Sequence, residues 1–101
     1  MANIGTFTTK DGKITGKIQT LTLNASLVFL PNENQSGPDA PAYRAYVGRC
    51  EVGAAWEKTS DGGRTYLSAR LDDPSFPSPV FANLIEQEDG THALLWSRPR
   101  N

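Results

Sequence analysis

The stretch Cys50-Glu51-Val52-Gly53-Ala54-Ala55-Trp56-Glu57-Lys58-Thr59-Ser60-Asp61-Gly62-Gly63-Arg64-Thr65-Tyr66-Leu67-Ser68-Ala69-Arg70-Leu71 decides the fold. Its two flanks alternate between apolar and polar side chains, the period of a strand with one face in a core. Between them stands Asp61-Gly62, a pair suited to the positive φ angles of a two-residue type I′ turn. Folding the chain about that pair sets Trp56 against Leu67, Ala54 against Ala69 and Val52 against Leu71, an apolar face without a polar intruder. A three-residue loop would instead bring Glu57 opposite Leu67, so the two-residue turn is expected, with Trp56 and Leu67 as buried neighbours. The outer face is then Glu51, Gly53, Ala55, Glu57, Tyr66, Ser68 and Arg70.

Two more Asp-Gly pairs extend the pattern in both directions. Folding about Asp11-Gly12 places Thr9 opposite Ile14, Phe7 opposite Gly16 and Gly5 opposite Ile18, with Phe7 lying over the bare backbone of Gly16. Thr6, Thr8, Lys10, Lys13, Thr15 and Lys17 take the other face. Folding about Asp89-Gly90 yields two apolar faces. One pairs Leu84 with Leu95 and includes Val80, Ala82 and Ala93; the other pairs Ile85 with Leu94 and holds Phe81 and Trp96. An outer hairpin buries only one face, so either the connection at 72–79 or the loop at 31–41 folds over the second, or Phe81, Ile85, Leu94 and Trp96 are the candidate protein-binding or self-association surface.

Between the hairpins, Leu21, Leu23, Ala25, Leu27 and Phe29 share one parity, predicting a half-buried strand with a break near Asn24, and Tyr43 begins the next strand. Residues 31–41 are polar and bounded by Pro31 and Pro41, as in a mobile surface loop. Residues 72–79 carry Pro74, Pro77 and Pro79 around Phe76, the composition of an ordered crossover anchored by one ring. No segment sustains a helical period. The expected fold is all-β: a single domain over residues 1–101, a small barrel or sandwich of about seven or eight short antiparallel strands.

The length of 101 residues suits one core, and seven prolines and nine glycines suit many turns. Ten basic against eleven acidic residues leave a net charge of -1 and no global field for a polyanion. No stretch nears the roughly 20 apolar residues of a membrane span, and the start lacks a signal-peptide pattern, so a cytoplasmic protein without membrane contact is expected. Catalysis needs a base within reach of a nucleophile or a substrate proton. His92, the only histidine, falls just past the last turn, opposite Gln87, and reads as a solvated imidazole. Cys50, the only cysteine, shares parity with Val52 and reads as a buried structural thiol; alone, it forms no internal disulfide. Asp72 and Asp73 precede a proline and read as turn formers rather than cation ligands. No catalytic, metal or cofactor-binding residue is assigned, and a chain that is not an enzyme is expected. Lys10, Lys13 and Lys17 form a basic face that either tracks a nucleic-acid backbone or protects a sheet edge; Arg98 and Arg100 add charge nearby in sequence to the end.

The strings Gly53-Ala54-Ala55-Trp56-Glu57-Lys58-Thr59, Tyr66-Leu67-Ser68 and Leu71-Asp72-Asp73-Pro74-Ser75-Phe76-Pro77 resemble a bacterial family catalogued as domain of unknown function 736. So do Ile4-Gly5-Thr6-Phe7, Gly16-Lys17-Ile18-Gln19-Thr20-Leu21 and Leu95-Trp96-Ser97-Arg98, which carry the likeness along nearly the whole chain. Cys50 is not part of the pattern. The resemblance transfers no catalytic residue. It implies a setting near conjugation and plasmid-maintenance genes, hence an accessory protein of a mobile genetic element. Joined to the candidate surface, this gives the expected function: non-enzymatic protein–protein binding, as a small inhibitor or assembly factor. The alternative is a single-stranded nucleic-acid binder using Lys10, Lys13 and Lys17.

Overall fold

The computed structural model describes residues 2–33, 37 and 39–97. Eight strands follow one another: β1 (Ala2–Lys10), β2 (Lys13–Gln19), β3 (Asn24–Pro31), β4 (Tyr43–Val47), β5 (Cys50–Thr59), β6 (Thr65–Leu71), β7 (Val80–Glu86) and β8 (His92–Trp96). Each pairs antiparallel with the next, and β8 returns to β1, closing an up-and-down barrel. The all-β expectation holds, and of its two forms the chain adopts the barrel. Closure overturns the view of the lysine-bearing β1 as a sheet edge, because β1 pairs with both β2 and β8.

The first hairpin has the register its sequence predicts: Gly5 faces Ile18, Phe7 faces Gly16 and Thr9 faces Ile14. Asp11 at φ 55° and Gly12 at φ 81° form the turn, both positive as a type I′ turn demands. Phe7 is fully buried, and a Cβ added to Gly16 would stand 2.7 Å from its ring, so glycine is what lets the ring lie flat on β2. Phe7 also meets Phe29 at 5.7 Å between ring centroids, tilted by 59°, within the range of favourable aromatic pairs. Leu27, Leu84 and Leu94 complete the set of largest fully buried side chains.

The other two Asp-Gly pairs turn differently. In β5–β6, Ser60 N–H donates to the Arg64 carbonyl at 2.8 Å and Gly63 N–H to the Ser60 carbonyl at 2.9 Å, while Gly63 alone takes a positive φ of 82°. This is a three-residue loop, a turn followed by a left-handed glycine, and it sets Glu57 opposite Leu67 and Trp56 opposite Ser68. The same device joins β7 to β8: Gln87 N–H donates to the Thr91 carbonyl at 2.7 Å and Gly90 sits at φ 88°. Leu84 therefore faces Leu94, and Ile85 faces Ala93. Both expected registers are off by one residue. In each loop the left-handed glycine comes third, and it is this glycine that fixes the count.

A bulge corrects part of the shift in β5. Ala45 pairs with Gly53 and Tyr46 with Glu51, leaving Val52 as an extra residue. Two successive positions then face inward, and the strand changes parity. Val52 is buried as expected, but beyond it Ala55 and not Ala54 enters the core, and Trp56 turns outward instead of packing against Leu67. The expected outer positions Gly53 and Ala55 are thus interior, whereas Tyr66, Ser68 and Arg70 lie outside as read. A second bulge at Ile4, between the pairs Asn3–Leu95 and Gly5–Leu94, bends β1 in the same way. Such bends add the curvature a small barrel needs to close.

The long connection after β3 is fastened at its base. Asn32 is buried; its Nδ2 donates to the Pro41 carbonyl at 2.9 Å and its Oδ1 accepts from Arg44 Nε at 3.1 Å. Outward-facing Trp56 donates from Nε1 to the Asp39 carbonyl at 2.9 Å. Residues 34–36 and 38 of the expected mobile loop lie outside the described residues. Residues 72–79 join the neighbouring strands β6 and β7, so they are not a crossover. They are ordered by Phe76, which packs on the core, and by Phe76 N–H donating to the Asp73 carbonyl at 2.8 Å.

Candidate functional site

An up-and-down barrel has two ends, and the connections assign each loop to one of them. One end carries the β1–β2, β3–β4, β5–β6 and β7–β8 connections. Among the described residues its exposed side chains, Pro31 apart, are polar or charged, as with Lys10, Asp11, Lys13, Asp61 and Glu88. The other end carries the β2–β3, β4–β5 and β6–β7 connections together with the first residues of β7. All three large apolar side chains that stand exposed among the described residues belong to this second end: Leu21 at 101%, Phe81 at 56% and Val47 at 36%.

The one-residue shift of the last hairpin breaks up the expected surface. Leu94 is fully buried in the core, and Trp96 packs partly buried against it, so neither belongs to an outer patch with the others. Phe81 and Ile85 do lie outside, but on β8 Ile85 faces Ala93, Leu95 faces Asn83, and Phe81 lies beyond the paired residues. Because side chains alternate, moving the register by one exchanges the two β8 faces. Sequence reasoning missed Leu21 and Val47 as well. Leu21 was read as strand; its place in a tight turn, with Thr20 N–H donating to the Leu23 carbonyl at 2.7 Å, turns it to solvent. The signal available was Thr20, whose hydroxyl can close a turn on the backbone that follows it, as its Oγ1 does in accepting from Leu23 N–H at 3.1 Å.

Within the apolar end lies a cavity of about 230 Å³. Ile18, Leu23, Ala25 and Leu27 form one wall, Val47, Cys50 and Val52 another, and Leu71 and Phe76 a third. Cys50 has the inward parity expected of it, yet it is exposed, not buried, because it begins β5 at the open rim where no further layer covers it. Asp73 also borders the cavity. Its Oδ2 accepts from Ser75 Oγ at 2.5 Å and from Ser75 N–H at 2.9 Å, and these bonds, the hydroxyl first, hold its carboxyl below the ordinary value of 3.8. Asp73 is thus a turn former, as read.

A depressed carboxyl pKa stabilises the fold above the unfolded value of 3.8, and that contribution is lost as pH falls through the folded value. Ser75→Ala is therefore expected to return the Asp73 titration toward 3.8, followed through its carboxyl carbon shift in NMR. At the far end Asp89 is held low in the same manner by Thr91, whose Oγ1 donates at 2.6 Å, and serves as an internal control that the substitution leaves unmoved.

Lys10, Lys13 and Lys17 are all exposed, and Lys10 directly faces Lys13 across β1 and β2. Thr6, Thr8, Thr15, Lys17, Gln19 and Asn3 line a shallow polar groove beside them. The outward positions of β1 and β2 include no aromatic ring on which a base could stack. Around Arg70 the charges are paired: Arg44 meets Glu51 at 2.8 Å and Arg70 meets Asp72 at 3.9 Å. Arg98 and Arg100 lie outside the described residues. His92 is half-buried, not solvated, and faces Glu86 and Phe7; its Nδ1 has no hydrogen-bond partner among the described residues. The shifted register draws it inward from the position first expected.

No curated protein and no solved structure matches the chain. A family model does, over residues 3–99, and it is described as a protein of unknown function. With nearly its whole length covered, from β1 through the last residues of β8, the chain belongs to the DUF736 family.

Proposed function

We propose that this chain is a non-catalytic binding module that docks a protein partner through the apolar end of its barrel. The observation that carries the reading is the placement of Leu21, Val47 and Phe81, which come from three separate segments and stand exposed at one end, while none of the large apolar side chains exposed among the described residues lies at the other. Large apolar side chains brought exposed to one end of a small domain suit a contact surface, and an aromatic such as Phe81 is a common anchor. The role fits an accessory protein of a mobile genetic element, acting as a small inhibitor or assembly factor. Phe81 is retained from the surface read in the sequence, whereas Ile85, near the opposite end of β7, and Leu94 and Trp96 leave it.

Affinity capture from the native host, compared across variants, tests this. A partner held by the wild type is expected to be lost on the combined change Leu21→Asp and Phe81→Asp, since losing one anchor commonly costs about 2 kcal/mol or more. It should remain on the triple change of Lys10, Lys13 and Lys17 to alanine. Equal capture by both variants would sink the reading. Light scattering on the same proteins separates a foreign partner from a second copy of the chain. The nucleic-acid alternative requires the reverse pattern: a salt-sensitive shift with single-stranded oligonucleotides that the lysine triple abolishes.

A further inference from the structure

We propose that the cavity at the apolar end is a binding site for an uncharged, apolar small molecule of about the size of a bicyclic aromatic. The cavity shares Val47 with the docking surface, but the inference concerns the space behind that residue and does not need a protein partner. Three observations support it. The first is size: the cavity, open at its rim, measures about 230 Å³, and an enclosed apolar cavity of about 150 Å³ already has room for benzene. The second is where the space comes from. The opposite half of the barrel is filled by Phe7 and Phe29, both with no exposed surface, whereas this half has only the methyl of Ala25 beside Ile18 and Leu27 on the β2–β3 wall. On this wall, though not around the whole barrel, the side chains thin toward the end that holds the cavity. The third is the cover. Phe76, carried by the 72–79 connection and packed against the core, forms one side of the cavity, so the space is walled by several segments instead of lying open as a flat face.

The lining also sets the chemistry. Leu23, Leu27, Val47, Val52, Leu71 and Phe76 offer no hydrogen bond, and the polar groups at the rim, Asp73 and Ser75, are engaged with each other. A ligand therefore gains from desolvation rather than from directed polar contacts. Asp73 adds selection by charge. Its ionised carboxylate at the rim disfavours a ligand carrying a carboxylate of its own.

Indole serves as the probe and indole-3-acetate as its charged counterpart, each titrated into the whole protein while amide shifts are followed by NMR. Indole is expected to give saturable shifts centred on Leu23, Val52 and Phe76, and indole-3-acetate to bind more weakly by roughly tenfold or more. Ala25→Leu, which fills the space, is expected to weaken indole by a similar factor. A second measurement needs no variant: Cys50 is exposed and borders the cavity, so saturating indole should slow its alkylation by iodoacetamide several-fold. Absence of saturable shifts, shifts that survive Ala25→Leu unchanged, or an unchanged alkylation rate would overturn the site. Equal affinity for indole-3-acetate would overturn the restriction to uncharged ligands.

Discussion

Gly53→Ala is expected to destabilise the barrel by about 3 kcal/mol, the upper part of the range for overpacked cores. Gly53 sits at the bulge, paired with Ala45 on β4 and Leu71 on β6. A Cβ there would drive into the carbonyl oxygen of Arg70 and stand 3.0 Å from both the Arg70 carbonyl carbon and the Leu71 Cα. These are backbone atoms of β6 held by pairing to β5 on one side and β7 on the other, so they cannot swing aside as a side chain tip can. Gly62→Ala is the matching control, because nothing lies within 4 Å of a Cβ at Gly62 and its φ is not positive. It is expected to change stability by no more than about 0.5 kcal/mol. Urea unfolding of the two variants beside the wild type checks the contrast, and equal midpoints would mean that β5 does not approach β6 as described.

Phe7→Ala should have the larger effect, about 3 to 5 kcal/mol, a substantial part of the about 5 to 15 kcal/mol that holds a domain together. Phe7 has no exposed surface, and its ring fills the space between Gly16, which has no side chain to offer, and Phe29. The neighbourhood cannot collapse easily, since a glycine backbone on one side and a tilted ring on the other leave nothing flexible to move in. At about 4 °C or more per kcal/mol for a domain of this size, thermal unfolding should fall by about 12 °C or more. Thr8→Ala, one position along on the outer face, should leave it nearly unchanged.

The sequence was most legible where the turn count and strand alternation agreed without interruption. Around Asp11-Gly12 every pair is as read, because both positive φ angles fall on the two residues quoted and no bulge intervenes before Gly5. Around Asp61 and Asp89 the left-handed residue is the third of its loop, a distinction that rests on one dihedral angle and leaves composition almost unchanged. The apparent apolar match of Trp56 with Leu67 favoured the wrong register, and the Val52 bulge hid the error by keeping Val52 and Leu71 inside together. The candidate site suffered for the same reason. Phe81 and Ile85 were read as outward, and they are, whereas Leu94 and Trp96 were assigned to them through a register one residue off. The cavity was not legible at all. It arises where Ala25 leaves space, Phe76 arrives from a distant connection and Cys50 marks a rim, a conjunction that no single stretch of sequence contains.

The return of β8 to β1 has a consequence for how the chain reaches its native state. Seven of the eight ladders join strands that follow one another directly in the chain. The remaining ladder pairs Ala2 with Trp96, and so encloses nearly the whole polypeptide. The entropy of closing a loop grows only with the logarithm of its length, but a contact this distant must wait until the intervening strands have brought its halves together. The hairpins can therefore assemble as a curved sheet by short-range steps, and the native state is separated from that sheet by a single non-local event. Phe7, which lies on β1 inside the seam, ties the packing of the core to that last closure.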